Sequence, residues 1–317
     1  MKKRTKKLLH GCRRMVRDSR AEVFAFFLKK SSASFLIASL ARAAHDPDMS
    51  LSTDIADFQR RDMEFDGKRK PVLVTGASGP AIIVIHEIFG FTPPLARFCR
   101  WLRDAGFRVY APILVGTPDA TNPDRPRDAL AKMPGLCVSR EFVLFATNRS
   151  SPITDWLKGL ARQAHAECGG AGVGAIGMCL TGSFALSMAV DKSVLAPVLS
   201  QPSMPPMAKA GLDISPADLA VVKARTLAEG LCVRAYRFDG DPMSTEARFA
   251  TLRRELGDAF LGTVLPDSAG NPNGLRAHGR PPHSVFTGDL IDAPDEPTRR
   301  AVDEVIGFFR ERLGVGG

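Results

Sequence analysis

From about residue 70 onward, the 317-residue chain alternates short apolar segments with amphipathic ones. The apolar segments are rich in Val and Ile and nearly continuous, as in strands that are buried on both faces of a parallel sheet. The segments between them have helical spacing, and several begin with Ser or Thr followed by Pro, which suit helix starts. This alternation predicts an α/β fold with a doubly wound, mostly parallel sheet and helices on both faces. The predicted strands are PVLVTG (71–76), AIIVIHEI (81–88), RVYAPILV (108–115), GVGAIGMC (172–179), VLAPVLS (194–200), VRAYRFDGD (233–241) and TVLPDS (263–268).

The formal net charge of +9 is concentrated at one end of the chain. Residues 1–48 hold 12 basic and 4 acidic residues, so the remainder is almost neutral. A nucleic-acid-binding domain usually carries its basic face within the fold, so we expect no nucleic-acid partner. No segment reaches the roughly 18 apolar residues of a membrane span, so we expect no membrane partner. Six scattered cysteines without a CxxC pair indicate reduced thiols and a cytoplasmic location.

The amino-terminal segment, residues 1–48, is interpreted as a basic leader that is disordered or dispensable. A secretory signal with SASFLIASL as its apolar part is disfavoured by the long basic region before it. A mitochondrial presequence fits the Arg and Ser content, but Asp18 and Glu22 weigh against it. Met49 offers a second start, and we expect residues 49–317 to form one domain.

The run GAIGMCLTGSF (174–184) places Cys179 at the end of a predicted strand and before a predicted helix. One interpretation is a packed core cysteine, since cysteine is a small hydrophobe. The other is a sharp strand-to-helix turn that exposes a nucleophile, for which Gly177 and Gly182 permit close backbone approach. Thr181 stands where glycine is commoner in such turns. The amino end of the helix would stabilise a thiolate and a developing oxyanion.

A nucleophilic cysteine needs a base and an acid that orients it. Two of the six histidines, His278 and His283, lie in a polar stretch after the last predicted strand. His283 follows two prolines and precedes an apolar triplet, so a rigid loop would meet the core there. Asp239 and Asp241 end a strand between cysteine and histidine, although a turn aspartate often bonds only its own backbone. The chain order Cys, Asp, His is that of α/β-hydrolases.

These segments resemble the dienelactone hydrolase family of α/β-hydrolases over roughly residues 70–312. The likeness is clearest at HEIFGF (86–91), GMCLTG (177–182), FDGDP (238–242) and HSVFT (283–287). The resemblance implies catalytic roles for four side chains and an oxyanion hole made of two backbone N–H groups. The implied residues are Cys179 as nucleophile, His283 as base, Asp241 as its orienting acid, Glu87 beside the resting thiol, and Leu180 and Ile88 as oxyanion donors.

The resemblance implies a hydrolase that cleaves a small ester, lactone or thioester through an acyl-enzyme, without metal or organic cofactor. It does not fix the substrate, because Thr287 stands where the family has an arginine that grips the substrate carboxylate. Arg140 is a candidate for a second such arginine. A glutamine amidotransferase-like protein is disfavoured, since Ser284 and Val285 follow His283 instead of the HxE pattern. A non-catalytic binding protein of the same fold stays open, as does the oligomeric state.

Overall fold

The computed structural model describes residues 54–116, 118, 152–203 and 209–316. Within them, strands alternate with helices as the sequence predicts. The strands are β1 (Gln59–Phe65), β2 (Lys68–Thr75), β3 (Ala81–Ile85), β4 (Arg108–Pro112), β5 (Val173–Met178), β6 (Val194–Ser200), β7 (Val233–Phe238) and β8 (Phe260–Leu265). The helices are α1 (Pro93–Asp104), α2 (Pro152–Cys168), α3 (Gly182–Met188), α4 (Pro216–Glu229), α5 (Glu246–Leu256) and α6 (Pro297–Leu313).

In the described part of the chain, the strands form one eight-stranded sheet with the order β1-β2-β4-β3-β5-β6-β7-β8. Strands β3 to β8 are mutually parallel, and β1 and β2 join the β4 edge in antiparallel fashion. The carboxyl ends of the parallel strands therefore share one edge of the sheet, which is where open α/β sheets place their sites. The predicted fold class is confirmed.

Two apolar clusters cover the two faces of this sheet. One packs α2 and α3 over β3 and β5 through residues such as Trp156, Leu160 and Phe184. The other packs α1 and α6 on the opposite face through Phe98 and Phe309. Strands β3 to β7 thus bury side chains on both faces, which explains why their segments are nearly continuous apolar runs and not alternating ones.

Strand β1 was not predicted, because its sequence QRRDMEF is mostly polar. It is an edge strand with one largely solvated face, and its burial alternates accordingly. Asp66 and Gly67, both with positive φ, form the two-residue turn to β2. An Asp-Gly pair between two strand-like segments is a hairpin signal, so these two residues could have revealed β1.

Strands β3 and β4 end three residues earlier than predicted. The predicted segments ran to Ile88 and Val115, whereas the strands end at Ile85 and Pro112. The cause is His86, whose Nε2 accepts hydrogen bonds from the backbone N–H groups of Leu114 (2.9 Å) and Val115 (3.1 Å). A side chain thus takes the place of sheet hydrogen bonds, and residues 86–88 form a loop at the sheet edge.

The leader proposed for residues 1–48 lies outside the described residues, as does Arg140. The single-domain interpretation of 49–317 therefore stays a prediction. In the part of the chain that the structure describes, no helix combines the length and apolar character needed to cross a bilayer.

Candidate active site

Cys179 lies in a sharp turn at the carboxyl end of β5. Its φ is +56°, a left-handed conformation that is uncommon for a side chain other than glycine. A short 3₁₀ turn, Cys179–Thr181, leads into α3, so the helix starts two residues later than the sequence suggested. Cys179 is buried, with 7% of the residue exposed. Strained backbone of this kind clusters at functional sites, and it favours the nucleophile interpretation over the packed cysteine.

The two glycines of the turn are required by close contacts. A Cβ at Gly177 would lie 2.1 Å from the backbone oxygen of Thr181. A Cβ at Gly182 would lie 2.5 Å from the Cα of Pro202, which follows β6. The turn therefore packs directly against the end of the neighbouring strand, and neither position tolerates a side chain.

Thr181, the departure from the usual glycine, is buried and fully engaged. Its Oγ1 accepts a hydrogen bond from Met178 N at 3.0 Å. The same hydroxyl lies 3.1 Å from the carbonyl oxygen of Ile85 and 3.0 Å from that of His86, to which it can donate. The threonine thus links the cysteine turn to the end of β3, and it does not mark a degraded turn.

Asp241 and His283 meet at the same edge of the sheet. Nδ1 of His283 lies 2.7 Å from Oδ2 of Asp241, and both side chains are buried. The other carboxylate oxygen, Oδ1, accepts from Met243 N at 2.9 Å. Asp241 therefore forms the local turn and also contacts the histidine. The alternatives are excluded by position, because Asp239 and His278 are exposed.

The loop that carries His283 is held by a second buried carboxylate. Oδ2 of Asp289 accepts hydrogen bonds from the backbone N–H groups of His283 (2.8 Å) and Ser284 (3.0 Å). Val285 and Phe286 follow in the core with no exposed surface. The apolar pair Val285 and Phe286 anchors the loop, and Asp289 adds an anchor that the sequence does not reveal.

The imidazole of His283 interacts with both Asp241 and Cys179. Burial by itself lowers the pKa of His283, but the charges of Asp241 and Cys179 outweigh it and raise the pKa well above its ordinary value. Among the described residues, Nε2 of His283 is buried without a well-aligned hydrogen-bond partner. This nitrogen is therefore available for a further hydrogen bond.

Glu87 is buried directly after β3 and accepts three hydrogen bonds from uncharged groups. Its Oε1 accepts from Gln201 Nε2 (2.8 Å) and Thr287 Oγ1 (2.8 Å), and its Oε2 accepts from Ser284 Oγ (3.1 Å). Burial raises the pKa of Glu87, while the charge of His283 and the hydroxyl hydrogen bonds lower it. Thr287, which stands in the place of the family's arginine, is thus a partner of this carboxylate.

The two predicted oxyanion donors lie just after two neighbouring strands, β5 and β3. Leu180 follows the thiol in the 3₁₀ turn, and Ile88 lies in the loop after β3. The carbonyl of Glu87, in the same peptide unit as Ile88 N, lies 2.6 Å from His86 Nδ1. Because Nε2 of His86 accepts two N–H groups, Nδ1 carries the proton and donates to that carbonyl. His86 thereby orients the Ile88 peptide.

Two residues of the site were missed in the sequence, both in the turn that follows β6. Gln201 contacts Glu87, and Ser203 Oγ donates to the sulfur of Cys179 at 3.3 Å. Polar residues around a proline look like an ordinary turn, so only their place after a buried strand could have singled them out. Among the residues described, no group of three or more His, Cys, Asp or Glu side chains is arranged to hold a metal ion.

The fold is that of the α/β-hydrolases, with a cysteine in the strand-to-helix turn and a histidine–aspartate pair at the same edge of the sheet. The family model described as the dienelactone hydrolase family matches residues 71–213. The family resemblance inferred from the sequence is thereby confirmed over this stretch, and it supports a hydrolase of the dienelactone hydrolase type. No curated protein matches the chain significantly.

Solved structures share the fold at low sequence identity. A dienelactone hydrolase from Anabaena variabilis is 13% identical with a TM-score of 0.52, covering 81% of this chain and 99% of that one. A dienelactone hydrolase-like promiscuous phosphotriesterase, P91, from metagenomic libraries is 20% identical with a TM-score of 0.53, covering 81% and 98%. A cold-adapted esterase from an Arctic intertidal metagenomic library is 16% identical with a TM-score of 0.50, covering 81% and 94%.

Proposed function

We propose that this protein hydrolyses small carboxylic esters, lactones or thioesters through an acyl-enzyme on Cys179. The observation that carries the proposal is the buried His283–Asp241 pair beside a cysteine in left-handed conformation. A left-handed backbone and a buried polar pair both cost folding free energy, and such costs cluster at functional sites. A strained cysteine and a buried carboxylate–imidazole pair at one sheet edge are typical of a nucleophile with its base.

The first half of the reaction acylates the thiol. The Cys179 thiol gives its proton to Nε2 of His283, and the resulting thiolate attacks the substrate carbonyl carbon. The C–S bond forms as the π electron pair of the carbonyl moves to oxygen. The N–H groups of Leu180 and Ile88 then hold the oxyanion. When the intermediate collapses, the bond to the alkoxide breaks and the leaving oxygen takes the proton from the His283 imidazolium. Each N–H group that holds the oxyanion contributes a factor of about 10² to 10³ in turnover.

The second half releases the acid. Neutral His283 takes a proton from water, and the resulting hydroxide attacks the thioester carbon. Collapse of this second intermediate breaks the C–S bond, returns the electron pair to sulfur and frees the carboxylic acid. Asp241 fixes the imidazole tautomer in both halves, since it holds Nδ1–H and leaves Nε2 for the reacting groups.

Glu87 has a different place in this proposal from the one the family resemblance implied. The group that hydrogen-bonds the sulfur is Ser203, while Glu87 accepts hydrogen bonds from Gln201, Ser284 and Thr287. The charge of His283 lowers the pKa of Glu87 against the larger effect of burial, so the two groups interact. Thr287 stands where the family has an arginine. Its side chain is an uncharged hydroxyl that donates to Glu87, so it supplies no positive charge for a substrate carboxylate. We therefore propose neutral acyl groups as substrates in preference to a dienelactone.

An activated aryl ester tests the reaction. We expect wild type to release a burst of the phenol, followed by a slower steady state as the thioester hydrolyses. Cys179→Ala removes the burst, whereas Cys168→Ala, a half-buried cysteine on α2, leaves it unchanged. Equal background rates for wild type and Cys179→Ala would instead support the non-catalytic binding protein. A paired set of lactones with and without a carboxylate tests the substrate class.

A further inference from the structure

The turn Gln201–Ser203 after β6 contacts Cys179 through two atoms of one residue. The Oγ of Ser203 donates to the Cys179 sulfur at 3.3 Å, and its backbone N–H donates to the Cys179 carbonyl at 3.0 Å. Ser203 is 6% exposed, so water competes weakly for the hydroxyl. Ser203 thus hydrogen-bonds both the backbone and the side chain of Cys179, the proposed nucleophile.

This placement is fixed by the fold and not by a flexible loop. Gln201 N donates to Tyr236 O on β7 at 2.7 Å, and Gln201 itself has a positive φ of 31°. Pro202 packs against Gly182, where no side chain fits. The cysteine turn and the turn after β6 are therefore packed together, and this packing keeps the Ser203 hydroxyl within hydrogen-bond distance of the Cys179 sulfur.

We propose that Ser203 is a further catalytic residue, whose hydroxyl stabilises the Cys179 thiolate in the free enzyme and as it leaves the acyl-enzyme. The inference rests on the proposed function, since it assumes that Cys179 is the nucleophile. A hydroxyl that donates to a full negative charge bonds about twice as strongly as one that donates to a neutral atom. The thioester sulfur carries no such charge, so the hydrogen bond favours the states in which the sulfur is ionised.

Two consequences distinguish this role from a structural one. Without the hydroxyl, the thiolate forms only at higher pH. Once formed, however, it is no less reactive, because a thiolate that forms less readily is intrinsically more nucleophilic. Loss of packing alone would lower reactivity at every pH. The leaving sulfur would also depart more slowly during deacylation, since a better stabilised thiolate leaves faster.

The experiment is alkylation of Cys179 by iodoacetamide between pH 5 and 10, followed on the peptide that carries Cys179 by mass spectrometry. It requires no ester turnover. For Ser203→Ala we expect the pH midpoint to rise by about one unit, with a high-pH rate at least equal to that of wild type. Ser203→Thr keeps a hydroxyl and restores the midpoint. Ser187→Ala, a buried serine on α3, is the matched control and leaves the profile unchanged.

The same midpoint in Ser203→Ala and wild type would overturn the inference. An alkylation rate of Ser203→Ala that is lowered by the same factor at every pH would also overturn it. If Ser203→Ala does not fold, Ser203→Gly also removes the hydroxyl and is held to the same expectation. A failure of the proposed function gives a different result: wild-type Cys179 then reacts at neutral pH no faster than an ordinary thiol. The two failures are thus separable in one data set.

Discussion

Nδ1 of His283 lies 2.7 Å from Oδ2 of Asp241, although the two residues are 42 positions apart in the chain. Both side chains are buried, and the carboxylate raises the pKa of the imidazole against the effect of burial. The pair therefore holds the imidazole in one tautomer and stabilises its protonated form. This is the arrangement that a base needs if it is to take a proton from a thiol and later return it.

Replacing Asp241 by Asn should lower turnover of an aryl ester by up to about 10⁴, because the wrong tautomer of His283 is favoured. Asp239→Asn is the matched control two residues away, and its carboxylate is exposed. We expect it to keep nearly full activity. The measurement is kcat/KM for both variants, and equal effects of the two substitutions would contradict the assignment of Asp241.

Thr181 is expected to matter for stability more than its place in a turn suggests. Thr181→Val keeps the shape but leaves the N–H of Met178 without its partner, at a cost of about 1–3 kcal/mol in the free energy of unfolding. Thr226→Val is the control, since Thr226 bonds only a carbonyl of its own helix α4. Urea unfolding compares the two. A loss no greater than that of the control would mean that the hydroxyl does not link the cysteine turn to β3.

Glu87 should make stability depend on pH in a defined direction. Its pKa is raised in the folded state, so the folded protein binds the proton more tightly than the unfolded chain. Stability therefore falls as pH rises above the unfolded value of about 4.5. Glu87→Gln removes this dependence. The difference in free energy of unfolding, variant minus wild type, should therefore become more positive from pH 5 to pH 7.5. Glu311→Gln, an exposed control on α6, should follow wild type; parallel curves for Glu87→Gln would disprove the assignment.

His86 is predicted to position the oxyanion donor. His86→Phe keeps a ring but removes the hydrogen bonds to Leu114 N, Val115 N and the Glu87 carbonyl. We expect kcat to fall by up to about 10², since an oxyanion donor contributes that much, with a smaller change in KM. His165→Phe on α2, whose ring bonds the Gly170 carbonyl, serves as control. An unchanged kcat in His86→Phe would remove the peptide of Ile88 from the oxyanion hole.

The sequence predicts the fold well wherever burial is two-sided. Strands β3 to β7 are found because nearly continuous apolar runs rich in Val and Ile admit few other structures. Strand β8, which is largely exposed, is predicted at 263–268 and observed at Phe260–Leu265. The polar edge strand β1 is missed because such a segment resembles a loop. Strands β3 and β4 are predicted too long, since the competing hydrogen bonds of His86 with Leu114 and Val115 come from residues far apart in sequence.

The candidate site is predictable for side chains that carry their own local signal. Cys179 sits between glycines, Asp241 follows a strand, and His283 precedes an apolar anchor. Ser203 and Asp289 have no such signal. Their importance comes from contacts made across the sheet edge and across the loop, which the order of residues does not contain.

The central claim is that Cys179 carries the acyl group during turnover, and the most direct measurement is the mass of the intermediate. Wild type and His283→Ala are mixed with an activated ester, quenched in acid within milliseconds to seconds, and digested. The account predicts one added acyl group on the peptide that contains Cys179, transient in wild type. In His283→Ala the activated ester acylates Cys179 more slowly, but the acyl group then persists because deacylation lacks its base. Ester hydrolysis that proceeds with Cys179 unmodified, or that survives in Cys179→Ala, would contradict it.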